Sequence, residues 1–209
     1  MKTTETKSAG AAMREWDIAY EAFPGYAGDF AWKHVTTLIE QVPGRRVYEV
    51  GFGSGTNLNY ARQRGWEVAG CDVAAAAVAK ARRLLPGAPL FRESILDCSA
   101  PSEHFDLVID RAALTYLSPK DLKKALVQVR RILVPGGVFL FNPYGDNHTR
   151  PFPDKMPPVT MWRRDDAERL FPATKWELLD SQTHRTLFAD DPPEWVEETL
   201  RILVRKLPR

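Results

Sequence analysis

Glycines 51, 53 and 55 stand between a short apolar run, Val47-Tyr-Glu-Val50, and a polar stretch opening at Thr56. Such a cluster lets backbone approach a ligand closely, in φ/ψ regions that other residues avoid. It also turns free N–H groups outward where a helix begins. Two acids accompany it: Glu49 precedes Gly51 by two positions, and Asp72 ends the next apolar run, Glu67-Val-Ala-Gly-Cys-Asp72. A carboxylate at a strand end can accept both hydroxyls of a ribose laid over the sheet, where open α/β sheets bind ligands. Three ligand chemistries compete for such a turn. A P-loop needs Gly-Lys-Ser/Thr, which does not follow. A dinucleotide turn needs GxGxxG, whereas the spacing here is GxGxG. Glu49 would also repel a pyrophosphate while attracting an amino group. The balance favours a cationic, amino-acid-bearing nucleoside and disfavours a nicotinamide oxidoreductase.

Further chemistry-bearing residues lie downstream. Asp110 closes the run Phe105-Asp-Leu-Val-Ile-Asp110 and either faces a ligand or caps the next turn. Arg111 beside it is an anion or substrate contact, or a surface ion-pair residue. Tyr144 and His148 follow the fifth apolar run, so the histidine is open to a catalytic or substrate role. Trp16, Tyr20, Phe23 and Tyr26 crowd the N-terminal segment, where Pro24-Gly25 breaks any single helix. They form a lid over the strand ends that walls a flat acceptor, or a staple on the core. His34 reads as a surface residue of a helix and His184 as a structural residue of a strand. Cys71 reads as a packed thiol, and with only Cys98 besides and no CxxC pair, no metal site is expected.

The elements that position these residues follow from periodicity and breakers. Helical spacing of Ala31, Val35, Leu38 and Val42 ends at Pro43-Gly44. Strands are expected at 47–50, 67–72, 89–95, 105–110 and 138–142, with helices at 55–63, 74–85 and 118–133 between them. Ser118-Pro119-Lys120-Asp121 supplies an N-cap, an N1 proline and an acidic N3. The face carrying Lys123, Lys124, Arg130 and Arg131 is expected to be solvated. This alternation implies right-handed crossovers and a mostly parallel, doubly wound α/β sheet. One more helix follows at 164–171; the end, 198–207, alternates like a strand but could also be drawn as a helix, and the strand reading closes an antiparallel hairpin with 175–185.

Length favours one domain over 1–209: an N-terminal lid region (1–42), a core (43–145), then a substrate loop and closing hairpin (146–209). With 44% hydrophobic and 27% charged residues the chain is neither disordered nor fibrous. Its 29 basic against 27 acidic residues, a formal +2, argue for neither a nucleic-acid nor a membrane partner. Lacking an apolar leader at Met1–Ser8 and rich cysteine usage, it is expected in the cytoplasm. A monomer or weak homodimer is expected.

The pattern Glu49-Val-Gly-Phe-Gly-Ser-Gly-Thr-Asn57 with Asp72, then Phe105-Asp-Leu-Val before Asp110, then Leu133-Val-Pro-Gly-Gly137, resembles the class I S-adenosylmethionine-dependent methyltransferases over roughly residues 44–145. Asp110-Arg-Ala-Ala-Leu114 with Ser118-Pro119, and the stretch 169–179, are similar to thiopurine and related thiol methyltransferases. The resemblance implies a seven-stranded Rossmann-like methyltransferase sheet. It also implies S-adenosylmethionine as cofactor and S-adenosylhomocysteine as product. Glu49, Gly51, Gly53, Gly55 and Asn57 would hold the methionine part, Asp72 the ribose, and Val73, Ser94 and Ile95 the adenine. Asp110 and Arg111 would stand where cofactor and substrate meet, with catalytic work assigned to that pair. Trp16, Tyr20, Phe23, Tyr26, Arg111, Tyr144 and His148 would face a small-molecule acceptor. No unmistakable base stands out, which favours sulfur or heteroaromatic nitrogen over oxygen as the methylated atom. O-methylation and a non-catalytic cofactor-binding partner subunit are the alternatives.

Overall fold

The computed structural model describes residues 9–22, 31–153, 156–189 and 191–208. Strands β1 (Arg46–Val50), β2 (Glu67–Asp72), β3 (Leu90–Arg92), β4 (Phe105–Arg111), β5 (Leu133–Asn142), β6 (Trp176–Thr186) and β7 (Glu197–Lys206) form one sheet in the order β3-β2-β1-β4-β5-β7-β6. β1 to β5 run parallel, and β7 lies antiparallel between β5 and β6. The doubly wound sheet and its closing hairpin are as the periodicity predicts.

Both faces are covered, which is why the central strands read as continuous apolar runs. On one face Tyr48, Val50, Val108, Phe139 and Phe141 pack under helix α5 (Pro119–Ile132) through Leu122, Leu126 and Val129. On the other, Val47, Val68, Leu107, Ile109 and Leu140 meet α2 (Lys33–Gln41), α3 (Thr56–Arg62) and α4 (Ala75–Leu84). Alternate residues of one strand thus serve opposite layers. Ser118 caps α5 as expected, its hydroxyl accepting from the Asp121 amide at 3.2 Å.

Several expectations need correction. The third strand spans only Leu90–Arg92, not 89–95, because the Ser94 hydroxyl accepts from the Leu96 amide at 3.2 Å and starts a helical turn. The late helix α6 is Arg164–Glu168 rather than 164–171. Pro135-Gly136-Gly137 does not precede the fifth strand but lies within it, where the pairing with β4 shifts register and Gly136 takes φ 81°. The buried Lys206 amine donates to the Leu133 carbonyl there at 2.6 Å. The basic face of α5 is only partly solvated, since Arg131 donates to the Ala100 and Cys98 carbonyls at 2.7 and 2.8 Å.

Helix α1 (Ala9–Ala22) crosses onto the start of α4, with Tyr20 packed on Ala74 and Ala77. Asp17 pins it there, accepting from the Ala75 amide at 2.7 Å and pairing with Arg92 at 2.8 Å. The two aromatics of α1 are thereby held beside the end of β2.

Ile109 is fully buried in the central strand β4. Ile109→Ala is expected to lower unfolding free energy by about 2–5 kcal/mol in urea titration, the range for large-to-small core changes. A loss below about 1 kcal/mol would show that this layer is not tightly packed.

Candidate active site at the strand ends

Register delivers three acids to one edge of the sheet. Val50 pairs with Cys71 on one side and Asp110 on the other, so Glu49, Asp72 and Asp110 end neighbouring parallel strands. The glycine turn folds over them. Gly51 takes φ 64°, donates to the Cys71 carbonyl at 2.8 Å, and has no room for a Cβ because Ala113 stands against it. Gly53, at φ 55°, donates to Asp72 Oδ2 at 2.9 Å, and the Ala74 amide donates to Oδ1 at 2.9 Å. Each Asp72 oxygen retains acceptor capacity for a ligand.

Beneath the turn, Asn57 Nδ2 donates to Glu49 Oε1 at 2.7 Å, while Asn57 Oδ1 accepts from the Trp32 amide at 3.1 Å. Asp110 Oδ1 accepts from the Ala113 and Leu114 amides at 3.0 and 2.9 Å, so it caps the turn that follows it. Glu49 Oε2 and Asp110 Oδ2 are buried without a partner. Burial disfavours their charged forms, pushing Glu49 up to about 8, Asp110 to about 7 and Asp72 to about 6.

Two cavities open on this edge. The first is bordered by Gly51, Asp72, Val73, Ser94 and Ile95, with Trp16 and Tyr20 from α1. The second is bordered by Arg111, Tyr144 and His148, with Trp32, Phe152 and Phe188. Trp16 and Tyr116 border both, meeting edge-to-face with ring centroids 4.7 Å apart. Arg111 sits with its guanidinium 4.6 Å from the centre of the Trp32 ring.

The expected site residues therefore divide. Gly51, Asp72, Val73, Ser94 and Ile95 come together with Trp16 and Tyr20 around the first cavity, and Arg111, Tyr144 and His148 around the second. Glu49, Asn57 and Asp110 do not form a wall; they are sealed under the turn and shape it from behind. Gly53 and Gly55 act through backbone geometry, Gly55 at φ 78° packing against Ala81 and Leu85. Phe23 and Tyr26 lie outside the described residues. His34 is not the surface residue expected. It is half-buried and stacked on His184 with centroids 6.5 Å apart, and burial with Arg111 and Arg201 nearby pushes it down to about 4. No cluster of metal-ligating side chains occurs among the described residues.

Sequence reasoning missed Tyr116, Trp32 and Ala112. Ala112 adopts φ 57°, which directs Arg111 to one cavity and Ala113 to the other. A left-handed alanine is costly and left no mark in its residue type. Tyr116 and Trp32 were visible only as aromatics near other aromatics.

Comparison with known proteins agrees with this arrangement. A family model described as a methyltransferase domain matches residues 48–141, from β1 to the end of β5. An uncharacterized methyltransferase of Synechocystis sp. is 32% identical over 97 residues, 46% of this chain and 46% of that protein. A malonyl-[acyl-carrier protein] O-methyltransferase of Enterobacter lignolyticus is 33% identical over 107 residues, 50% of this chain and 42% of the relative. The chain thus spans under half the length of these relatives. The fold is shared with the Burkholderia thailandensis 1,6-didemethyltoxoflavin-N1-methyltransferase, solved with 1,6-didemethyltoxoflavin and S-adenosylhomocysteine, at TM-score 0.74 and 18% identity over 98% of this chain and 93% of that one.

The buried acids give a pH signature. A carboxyl whose folded pKa is raised stabilises the fold fully below its unfolded pKa, and that contribution is lost as pH rises through the folded pKa. With Glu49 moving from 4.5 to about 8, stability should fall between those values. Glu49→Gln keeps the acceptor for Asn57 and removes the charge. The variant should gain on the order of 2–4 kcal/mol over the parent at pH 8.5 relative to pH 5.5 in urea titrations, from about 1.4 kcal/mol per pKa unit. Parallel pH profiles for the two proteins would remove Glu49 as a buried titrating group.

Proposed function

We propose that this chain binds S-adenosylmethionine in the first cavity and transfers its methyl group to a small molecule in the second, at sulfur or a heteroaromatic nitrogen. The observation that carries this reading is the adjacency of the two cavities across the Trp16–Tyr116 wall, one polar at Asp72, the other aromatic. The residues suit the cofactor. Asp72 faces the first cavity with acceptor capacity to spare for two ribose hydroxyls. Val73 and Ile95 offer apolar contact for adenine beside the Ser94 hydroxyl. The unpartnered Glu49 Oε2 beneath the glycine turn, held neutral by burial while the cavity is empty, can ionise against an α-ammonium group but not beside a phosphate.

When bound, the cofactor supplies a methyl group on a positively charged sulfur, which needs no acid to leave. The protein's share of the work is alignment and exclusion of water. The glycine turn sets the depth of the nucleoside, and α1 closes one side with Trp16 and Tyr20. Tyr144 and Phe152 meet edge-to-face at 4.9 Å in the second cavity and give a flat acceptor apolar surfaces to lie against. Sulfur or aromatic nitrogen on a flat acceptor suits the aromatic part of this lining. O-methylation stands as the alternative, supported by the Enterobacter relative's name.

Asp72→Ala should weaken S-adenosylhomocysteine binding by about 1.5–3 kcal/mol for each charge-assisted hydrogen bond lost, at least tenfold by calorimetry. The parent should gain thermal stability with S-adenosylhomocysteine and none with NAD. Unchanged affinity in the variant would take Asp72 out of the site, and stabilisation by NAD alone would overturn the cofactor.

A further inference from the structure

We infer that His148 takes the proton of the methyl acceptor, and hence that the acceptor is a flat, protic compound that loses an N–H or S–H proton as it is methylated. This rests on the two-cavity reading above and adds the group that moves the proton.

The tautomer follows from one contact. His148 Nε2 lies 2.7 Å from the Arg150 carbonyl oxygen. A carbonyl can only accept, so Nε2 carries the hydrogen and Nδ1 is a bare lone pair. That lone pair is buried and has no partner. Leaving a buried acceptor unmet costs about 1–3 kcal/mol, which an occupant with a donor proton would recover. The ring is 9% exposed and borders the second cavity.

The ring is held on every side. Phe152 stacks on it at 4.7 Å and 11°, and Tyr144 meets it edge-on at 4.8 Å. The loop beneath is tied to β7: Gly145 donates to the Glu198 carbonyl at 2.9 Å, and the Asn147 amide to Glu198 Oε1 at 3.0 Å. Glu198 is itself buried and paired with Arg185 at 2.8 Å. Gly145 must be glycine, since a Cβ there would strike the Glu198 carboxylate. Farther along, Thr149 and Arg150 both donate to the Val196 carbonyl, at 3.0 and 3.1 Å. A loop secured this way fixes the direction of Nδ1, as general-base catalysis requires.

The charged or titratable groups bordering the same cavity are Arg111 from β4, Glu197 from β7, Tyr116, Tyr144, and Arg150, which pairs with Asp191. Arg111 is positioned to steady negative charge on an acceptor as it ionises. In the step, the N–H or S–H proton passes to Nδ1 and the freed electron pair bonds to the methyl carbon. The methyl–sulfur bond breaks with its pair going to sulfur, leaving a neutral thioether. His148, now protonated on both nitrogens, returns its proton to water as product leaves.

Two measurements test this. In 15N-histidine-labelled protein, long-range 15N–1H correlation should show neutral His148 protonated on Nε2, assigned by its loss in His148→Gln. A proton on Nδ1 overturns the proposal whatever the substrate. Methyl transfer is then compared between benzyl mercaptan, which must lose a proton, and pyridine, which has none to lose. His148→Gln should cut kcat for the thiol at least ~100-fold. It should leave pyridine turnover and S-adenosylhomocysteine affinity within about twofold. Equal losses on both probes would make His148 a merely structural residue, and no loss on the thiol would remove it from catalysis. If the parent fails to bind S-adenosylhomocysteine at all, the cofactor reading falls while the tautomer result stands by itself.

Discussion

Three carboxylates stand at the carboxyl ends of neighbouring parallel strands in an open, mixed sheet, and their burial beside one glycine turn governs this molecule. Glu49 and Asp110 each keep an oxygen with no partner, and Asp72 accepts from backbone amides, among them those of Gly53 and Ala74. Acids packed this closely away from water repel one another and resist ionisation. A fold selected for stability alone would replace them with apolar side chains. Their retention makes sense where positive charge arrives from outside, directly over the turn. The left-handed glycines allow that approach, because Gly51 lies against Ala113 with no space for a side chain.

The rest of the fold divides around this edge. Parallel strands β1, β2 and β4 fix the carboxylates, and their register is set by alternate burial on the two faces. The antiparallel strands β6 and β7 do something else: through Glu198 and the carbonyl of Val196 they hold the 145–150 loop. One half of the sheet thus positions residues of the first cavity and the other half residues of the second. Helix α1, tied down by Asp17, supplies the shared wall through Trp16. No helix among the described residues is long and apolar enough to cross a membrane.

Much of the first cavity's framework was legible in the sequence. Glycine spacing, Glu49 and the strand-end Asp72 each carry a local chemical signature, and periodicity places them on strands that must be adjacent. The second cavity was far less so. His148 was visible as a lone histidine, but its tautomer depends on the Arg150 carbonyl, and its loop on Glu198 some fifty positions on. Nothing at position 112 advertises a left-handed alanine, and helical spacing cannot tell that His34 tucks against His184. Asp110 could be read as a ligand-facing acid or as a cap, and long-range pattern could not choose; amides of its own following turn reach it. Long-range hydrogen bonds and backbone strain are what pattern reading misses.

The central claim is that the sealed carboxylates are held for a cationic ligand, and proton linkage tests it most directly. In the free protein burial pushes Glu49 up to about 8, so it is largely protonated at pH 7. An ammonium group seated over the turn favours the charged form and must expel that proton. Calorimetry of S-adenosylhomocysteine binding at pH 7, repeated in buffers of different ionisation enthalpy, reads the protons exchanged. Release of roughly 0.5–1 proton per complex is expected, and it should vanish in Glu49→Gln. Tight binding with no proton released, or with protons taken up, would contradict the claim.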